Sequence, residues 1–160
     1  NRQRILLHIY NFISRKGMII MIYKVFGDTI VMRLEKGEEI ISEITELCKE
    51  KAISAGSVSA IGAVDNVILG LYKVKEKKYF SSEYKEEMEM TSLTGNISVK
   101  DNEPYLHFHA NFGREDGIVV GGHLNKAVIS ATCEIIIHRI NGVIGRKFDD
   151  EIGLNVIEFN

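Results

Sequence analysis

A chain of 160 residues with 45% hydrophobic and 26% charged side chains has the size and apolar content of one folded domain, which excludes a wholly disordered polypeptide. Twenty basic and twenty-two acidic residues leave a net charge of −2, so no global field draws the chain toward phosphate backbones or anionic lipid. The longest apolar run, Met18 to Tyr23, falls far short of the roughly 20 residues of a membrane span.

The chain opens with Arg2, Arg4, Arg15 and Lys16, no acid, and Ile5, Leu6, Ile9, Phe12 and Ile13 spaced as on an amphipathic helix. Arg15 and Lys16 break the apolar part and no small-residue cleavage site follows, so residues 1–17 read as a basic amphipathic extension rather than a signal peptide. The compact domain is expected over residues 18–160. Ile19 to Phe26 and Thr29 to Leu34 flank Gly27-Asp28, a hairpin signature. From Glu38 to Lys51, Ile40, Ile44, Leu47 and Cys48 share one helical face, with acids in the first turn and lysines in the last, complementing the helix dipole. Ser57 to Val64 and Val67 to Val74 are strands with Gly62 and Gly70 as bulge positions. The charged stretch from Lys75 to Glu89 has mixed signs and reads as a solvated edge or loop. Met90 to Lys100 pairs with Tyr105 to Phe112 through a turn at Asp101 to Pro104, Gly113 to Gly117 reverses the chain, and Ala127 to Ile140 is the longest strand. The pattern predicts a single α+β domain, an antiparallel sheet carrying one long helix. Cys48 and Cys133 lie in apolar-periodic segments and read as reduced core thiols, which fits a cytoplasmic location.

Alternation in Tyr105-Leu-His-Phe-His-Ala-Asn-Phe112 turns Leu106, Phe108, Ala110 and Phe112 to one face, and Tyr105, His107, His109 and Asn111 to the other. The apolar face goes to the core, and two imidazoles project together from the other. His123 follows Gly121-Gly122, where missing side chains let another element approach, and an adjacent antiparallel strand brings it to the pair. Three neutral imidazoles make an open site suited to Zn²⁺, and water in its fourth position ionises near neutral pH. On the next strand Glu134 shares a largely polar face with Ser130, Thr132 and His138, where it orients a ligand histidine, acts as a general base or forms an interface ion pair. Searches for P-loop, zincin, nucleophile-elbow and paired-cysteine motifs find none.

Met21-Ile-Tyr-Lys-Val-Phe-Gly, Lys36-Gly-Glu-Glu, Ser59-Ala-Ile-Gly-Ala-Val64, Leu93-Thr-Gly-Asn96, His107-Phe-His109 and Gly121-Gly-His-Leu124 occur in the order that resembles the plants-and-prokaryotes conserved (PPC, or PCC) domain, from Met21 to about Phe159. That domain accompanies AT-hooks in plant nuclear proteins and stands alone in prokaryotes, where it is commonly described as a candidate DNA-binding protein. The resemblance implies an α+β fold with a bent antiparallel sheet, a homotrimer, and a metal, zinc, on His107, His109 and His123; the polar face of the next strand makes Glu134 the expected outer-shell carboxylate. Here the hook core Arg-Gly-Arg-Pro is absent: Pro104 is the only proline, and neither Gly113-Arg114 nor Gly145-Arg146 makes a hook. Specific DNA binding is therefore not expected. The functional expectation is a trimeric metal-binding module with a regulatory or ligand-binding role toward an unidentified small ligand or protein; the alternatives are a DNA-binding regulator and a zinc enzyme.

Overall fold

The computed structural model describes residues 10–14 and 17–159, with side chains from Met21 onward. Within the expected N-terminal extension, Tyr10–Ser14 is a strand, β1, rather than a helix, and the rest of that prediction lies outside the described residues. β1 pairs antiparallel with β2 (Gly17–Phe26), which turns through Gly27 into β3 (Thr29–Glu35). Gly27 has φ of 58°, a value that glycine adopts without steric cost.

One helix follows, α1 (Ile40–Glu50). The Glu39 carboxylate caps it by accepting from the Ile41 and Ser42 amides, and also accepts from the Ala127 amide, tying the helix start to the sheet. Ile40, Ile44, Leu47 and Cys48 are buried on its inner face. Then come β4 (Gly56–Lys73), a single 3-10 turn, β5 (Lys78–Tyr84), β6 (Met88–Lys100), β7 (Glu103–Gly113), β8 (Val119–Arg139), β9 (Gly145–Asp149) and β10 (Leu154–Glu158). The charged stretch forms β5, an exposed edge strand on β4. The β6–β7 turn carries Asp101 and Asn102 at φ of 53° and 64°, the pair of positive angles that a tight hairpin requires.

The expected α+β class with one long helix is corrected by this architecture. About 68% of the described residues are strand and 10% helical, so the protein is a β-rich sheet fold with one short helix of 11 residues among the described residues. Alternation interrupted by bulges hides the length of the strands. β4 runs 18 residues straight through Gly62, where the register shifts, and β8 runs 21. Gly62 pairs with Cys133 and Val64 with Ile129, so residues 130–132 of β8 bulge opposite a single β4 residue; this turns Ala131, expected in the core, to solvent.

β8 lies between β3 and β4, β4 between β8 and β6, and β7 bridges β6 back to β8, so β4, β6, β7 and β8 close a circuit around the core. Phe108, Ala110 and Phe112 of β7 fill it as alternation predicts, together with Leu93, Ile97, Ile135 and the helix stripe. Cys48 and Cys133 are free and buried, and burial pushes each thiol up to about 12, which leaves them inert packing groups. No helix among the described residues is long and apolar enough to cross a membrane.

Gly95 sits opposite Phe108, and a methyl group there would run into the His107 carbonyl and the Phe108 ring. Gly95→Ala is expected to lower stability by about 1–3 kcal/mol through overpacking, read from the urea midpoint. An unchanged midpoint would contradict this packing.

Candidate metal centre

β7 and β8 run antiparallel with His109 directly opposite His123, Ala110 opposite Gly122 and Asn111 opposite Gly121. His107 and His109, two residues apart, share the face away from the core, and the cross-strand pair brings His123 onto it. The ring centroids lie 5.2 Å apart for His107–His109, 5.2 Å for His107–His123 and 5.6 Å for His109–His123. One nitrogen from each ring falls within 4.8 Å of the others. The double glycine works as the sequence suggests, with a refinement. The Asn111 amide occupies the space that a Gly121 side chain would take, and donates to Ser92 Oγ at 3.0 Å. Gly122 lies against the Gly70 carbonyl of β4.

Burial lowers the basicity of two of these imidazoles. For His107, desolvation acts first, followed by the positive charge of Arg146 and the neighbouring His109. For His123, desolvation and then His107 and His109 bring the value down to about 4. Both rings are therefore neutral at pH 7, the state that offers a lone pair to a cation. Zinc bonds of about 2.0–2.1 Å place tetrahedral donors roughly 3.3–3.4 Å apart, so donors within 4.8 Å need to close by at most about 1.5 Å, a side-chain adjustment. The histidine set thus fits a metal ion.

Glu134 is not beside this cluster. It lies eleven residues farther along β8, across from Arg33 on β3 and Ile61 on β4, where it lines a separate groove. That distance removes it as a support for the histidines. His138 also stands apart, 3.0 Å from Thr29 Oγ1.

The side chains around the cluster are ones that sequence reading passes over. Asn96 faces His107 across β6–β7, and Arg146 donates to Asn96 Oδ1 at 2.9 Å and to Ser98 Oγ at 2.7 Å. The Arg146 guanidinium lies 4.6 Å from the Tyr105 ring centroid. In the sequence, Gly145-Arg146 registers only as an incomplete hook. Tyr79 lies over Gly70, which pairs with His123, and its ring meets His123 edge-on at 6.3 Å. Gly70, expected at a bulge, is thus the seat of a tyrosine. The β4–β5 hairpin that carries Tyr79 there, with Gly70 opposite Ser81, lies in the charged stretch that the sequence left as an edge or loop.

The model of the Plants and Prokaryotes Conserved (PCC) domain matches residues 21–141. Among solved structures, a candidate DNA-binding protein from Bacteroides thetaiotaomicron is similar with 33% identity and a TM-score of 0.85, over 87% of this chain and 97% of that one. A metal-containing protein from Archaeoglobus fulgidus is 36% identical, with a TM-score of 0.79 over 89% of this chain and 100% of that one. A plant- and prokaryote-conserved protein from Pyrococcus horikoshii is 32% identical, with a TM-score of 0.76 over 86% and 95% of the two chains. Among curated proteins, nothing matches the chain.

Because His107 and His123 take up protons less readily in the fold than in the unfolded chain, the metal-free protein should lose stability as pH falls from about 6.5 toward 4. Melting temperatures of chelator-treated wild type and His123→Ala should converge across this window, the variant falling less steeply. Parallel curves would contradict the burial of His123.

Proposed function

The chain belongs to the Plants and Prokaryotes Conserved (PCC) domain family, and on that footing we propose that it is a homotrimeric metal-binding module, with zinc on His107, His109 and His123, that serves a ligand-binding or regulatory role. The observation that carries this reading is the convergence of three imidazole nitrogens from two paired strands to within 4.8 Å. An all-nitrogen set of neutral imidazoles suits zinc better than calcium or magnesium, which prefer oxygen donors. Three protein donors leave a position for a ligand, and a bound zinc supplies Lewis-acid charge there. The metal-containing Archaeoglobus relative is in keeping with this reading. His107 and His109 hold their mutual spacing through the strand, and β8 supplies the third donor, so no loop has to close to form the site.

Metal analysis of protein purified without chelator and loaded with zinc is expected to give one ion per chain, and each of His107→Ala, His109→Ala and His123→Ala should lose most of it. Equal metal content in all four proteins would overturn the assignment.

The trimer draws support from a second face. Phe26, Val31, Ile61 and Ile136 are 53%, 41%, 55% and 40% exposed although they line one groove of about 740 Å³ on adjoining strands. Clustered apolar side chains of this kind mark interaction surfaces. Glu134 and Arg33 sit within this groove, which returns Glu134 to the interface role that the sequence left open. Specific DNA recognition is not part of the proposal: a net charge of −2 and the missing hook leave base readout without a reader. Light scattering should report a trimer for wild type, and Ile61→Glu should dissociate it by burying an unpaired charge beside Glu134. A monomeric wild type at micromolar concentration would contradict the assembly.

A further inference from the structure

We propose that Arg146 is the anion-binding arm of the histidine site, and that the site receives a small ligand carrying a carboxylate. The inference rests on the metal-binding reading above and deepens it by naming the ligand chemistry.

Arg146 is held by neutral groups on every side. Its Nε donates to Ser98 Oγ at 2.7 Å, Nη1 to the Asn155 carbonyl at 3.0 Å and Nη2 to Asn96 Oδ1 at 2.9 Å, while its plane lies against Tyr105. These three bonds use one N–H each and leave one on each terminal nitrogen. The other described arginines all have carboxylates: Arg33 has Glu35, Arg114 has Glu86, and Arg139 has Asp28. Among the described residues, no carboxylate pairs with Arg146. A partly buried guanidinium without a counter-charge is costly, so its fixation by four neutral partners implies an anion supplied from outside.

Its position says where that anion goes. Asn96 is opposite His107 and Ser98 is opposite Tyr105, so both anchors lie on the face that carries the histidines, and the guanidinium stands at the His107 end of the cluster. Its positive charge is felt at His107. A ligand donor at the open position among the histidines therefore has a fixed cation beside it. Two free N–H groups on neighbouring nitrogens match the two oxygens of a planar carboxylate. Phosphate would call for further cations or a ring of backbone amides, and the neighbours here are neutral: Asn96, Ser98 and Tyr105.

The test uses the full chain loaded with cobalt(II), whose visible absorption reports its coordination. Acetate is titrated into wild type, Arg146→Gln and Arg146→Lys, with acetamide and inorganic phosphate as comparison probes and cobalt stoichiometry and melting temperature measured for each protein. Acetate should change the wild-type spectrum saturably and acetamide should not. Arg146→Gln should bind acetate roughly 10- to 100-fold more weakly at unchanged cobalt content, as expected for loss of a charge-assisted hydrogen-bonded pair. Arg146→Lys, which keeps the charge, should fall between the two and serves as the readout if Arg146→Gln does not fold. Equal acetate affinity in wild type and the folded variant, or phosphate binding as tightly as acetate, would overturn the proposal. If wild type binds no cobalt, the metal reading fails separately. Acetate-induced NMR shifts of the Asn96 side-chain amide in the metal-free protein then decide the anion site: shifts lost in the Arg146 variant uphold it, and no shift in wild type overturns it.

Discussion

The pairing of β7 with β8 is the constraint from which the site follows. Five residue pairs, from His109 opposite His123 to Gly113 opposite Val119, close the circuit of β4, β6, β7 and β8. The same ladder turns Phe108, Ala110 and Phe112 inward and His107, His109 and Asn111 outward. A one-residue slip in this register would exchange the two sets, placing imidazoles in the core and phenyl rings in solvent. The hydrophobic core therefore holds the histidines in place. Strand positions on a closed sheet hold the three rings on one face, so metal binding asks for side-chain adjustment and no rearrangement of the backbone.

The outer surface of the sheet divides along β8. Near its start, His123 joins polar neighbours: Asn111 with Ser92, and Arg146 with Asn96 and Ser98. Near its end, beyond the bulge at residues 130–132, Ile136 joins Val31, Ile61 and Phe26 in an apolar groove crossed by Glu134 and Arg33. The bulge separates two chemistries on one strand. The first suits small-ligand and metal binding, while the second suits association with another protein surface.

Much of this was legible in the sequence, for reasons that particular residues make plain. Strict alternation in β7 identified both the core residues and the histidine face, because a period of two admits a single partition. Gly121-Gly122 correctly announced a close approach, and Cys48 and Cys133 were rightly taken as buried thiols. What the sequence hid was the continuity of long strands. Gly62 is the bulge that the sequence suggested and Gly70 a seat for Tyr79, but the expected break between Val64 and Val67 is continuous strand, so the sheet was underestimated and the helix given too much weight. Glu134 was tied to the histidines by the polar face of what read as the next strand, but it lies on the same strand as His123, eleven residues away, and the parity that assigns a face says nothing of distance. Arg146 escaped notice because its partners, Asn96, Ser98 and Asn155, are about fifty or fewer residues away on other strands and carry no charge pattern to mark them.

The central claim is that three strand-borne imidazoles hold one metal ion on this face. An anomalous-difference map at the zinc edge, from crystals of zinc-loaded protein, tests it most directly. The account predicts a single peak within about 2.0–2.1 Å of one nitrogen from each of His107, His109 and His123. A peak elsewhere in the molecule, or none with zinc present, would contradict it.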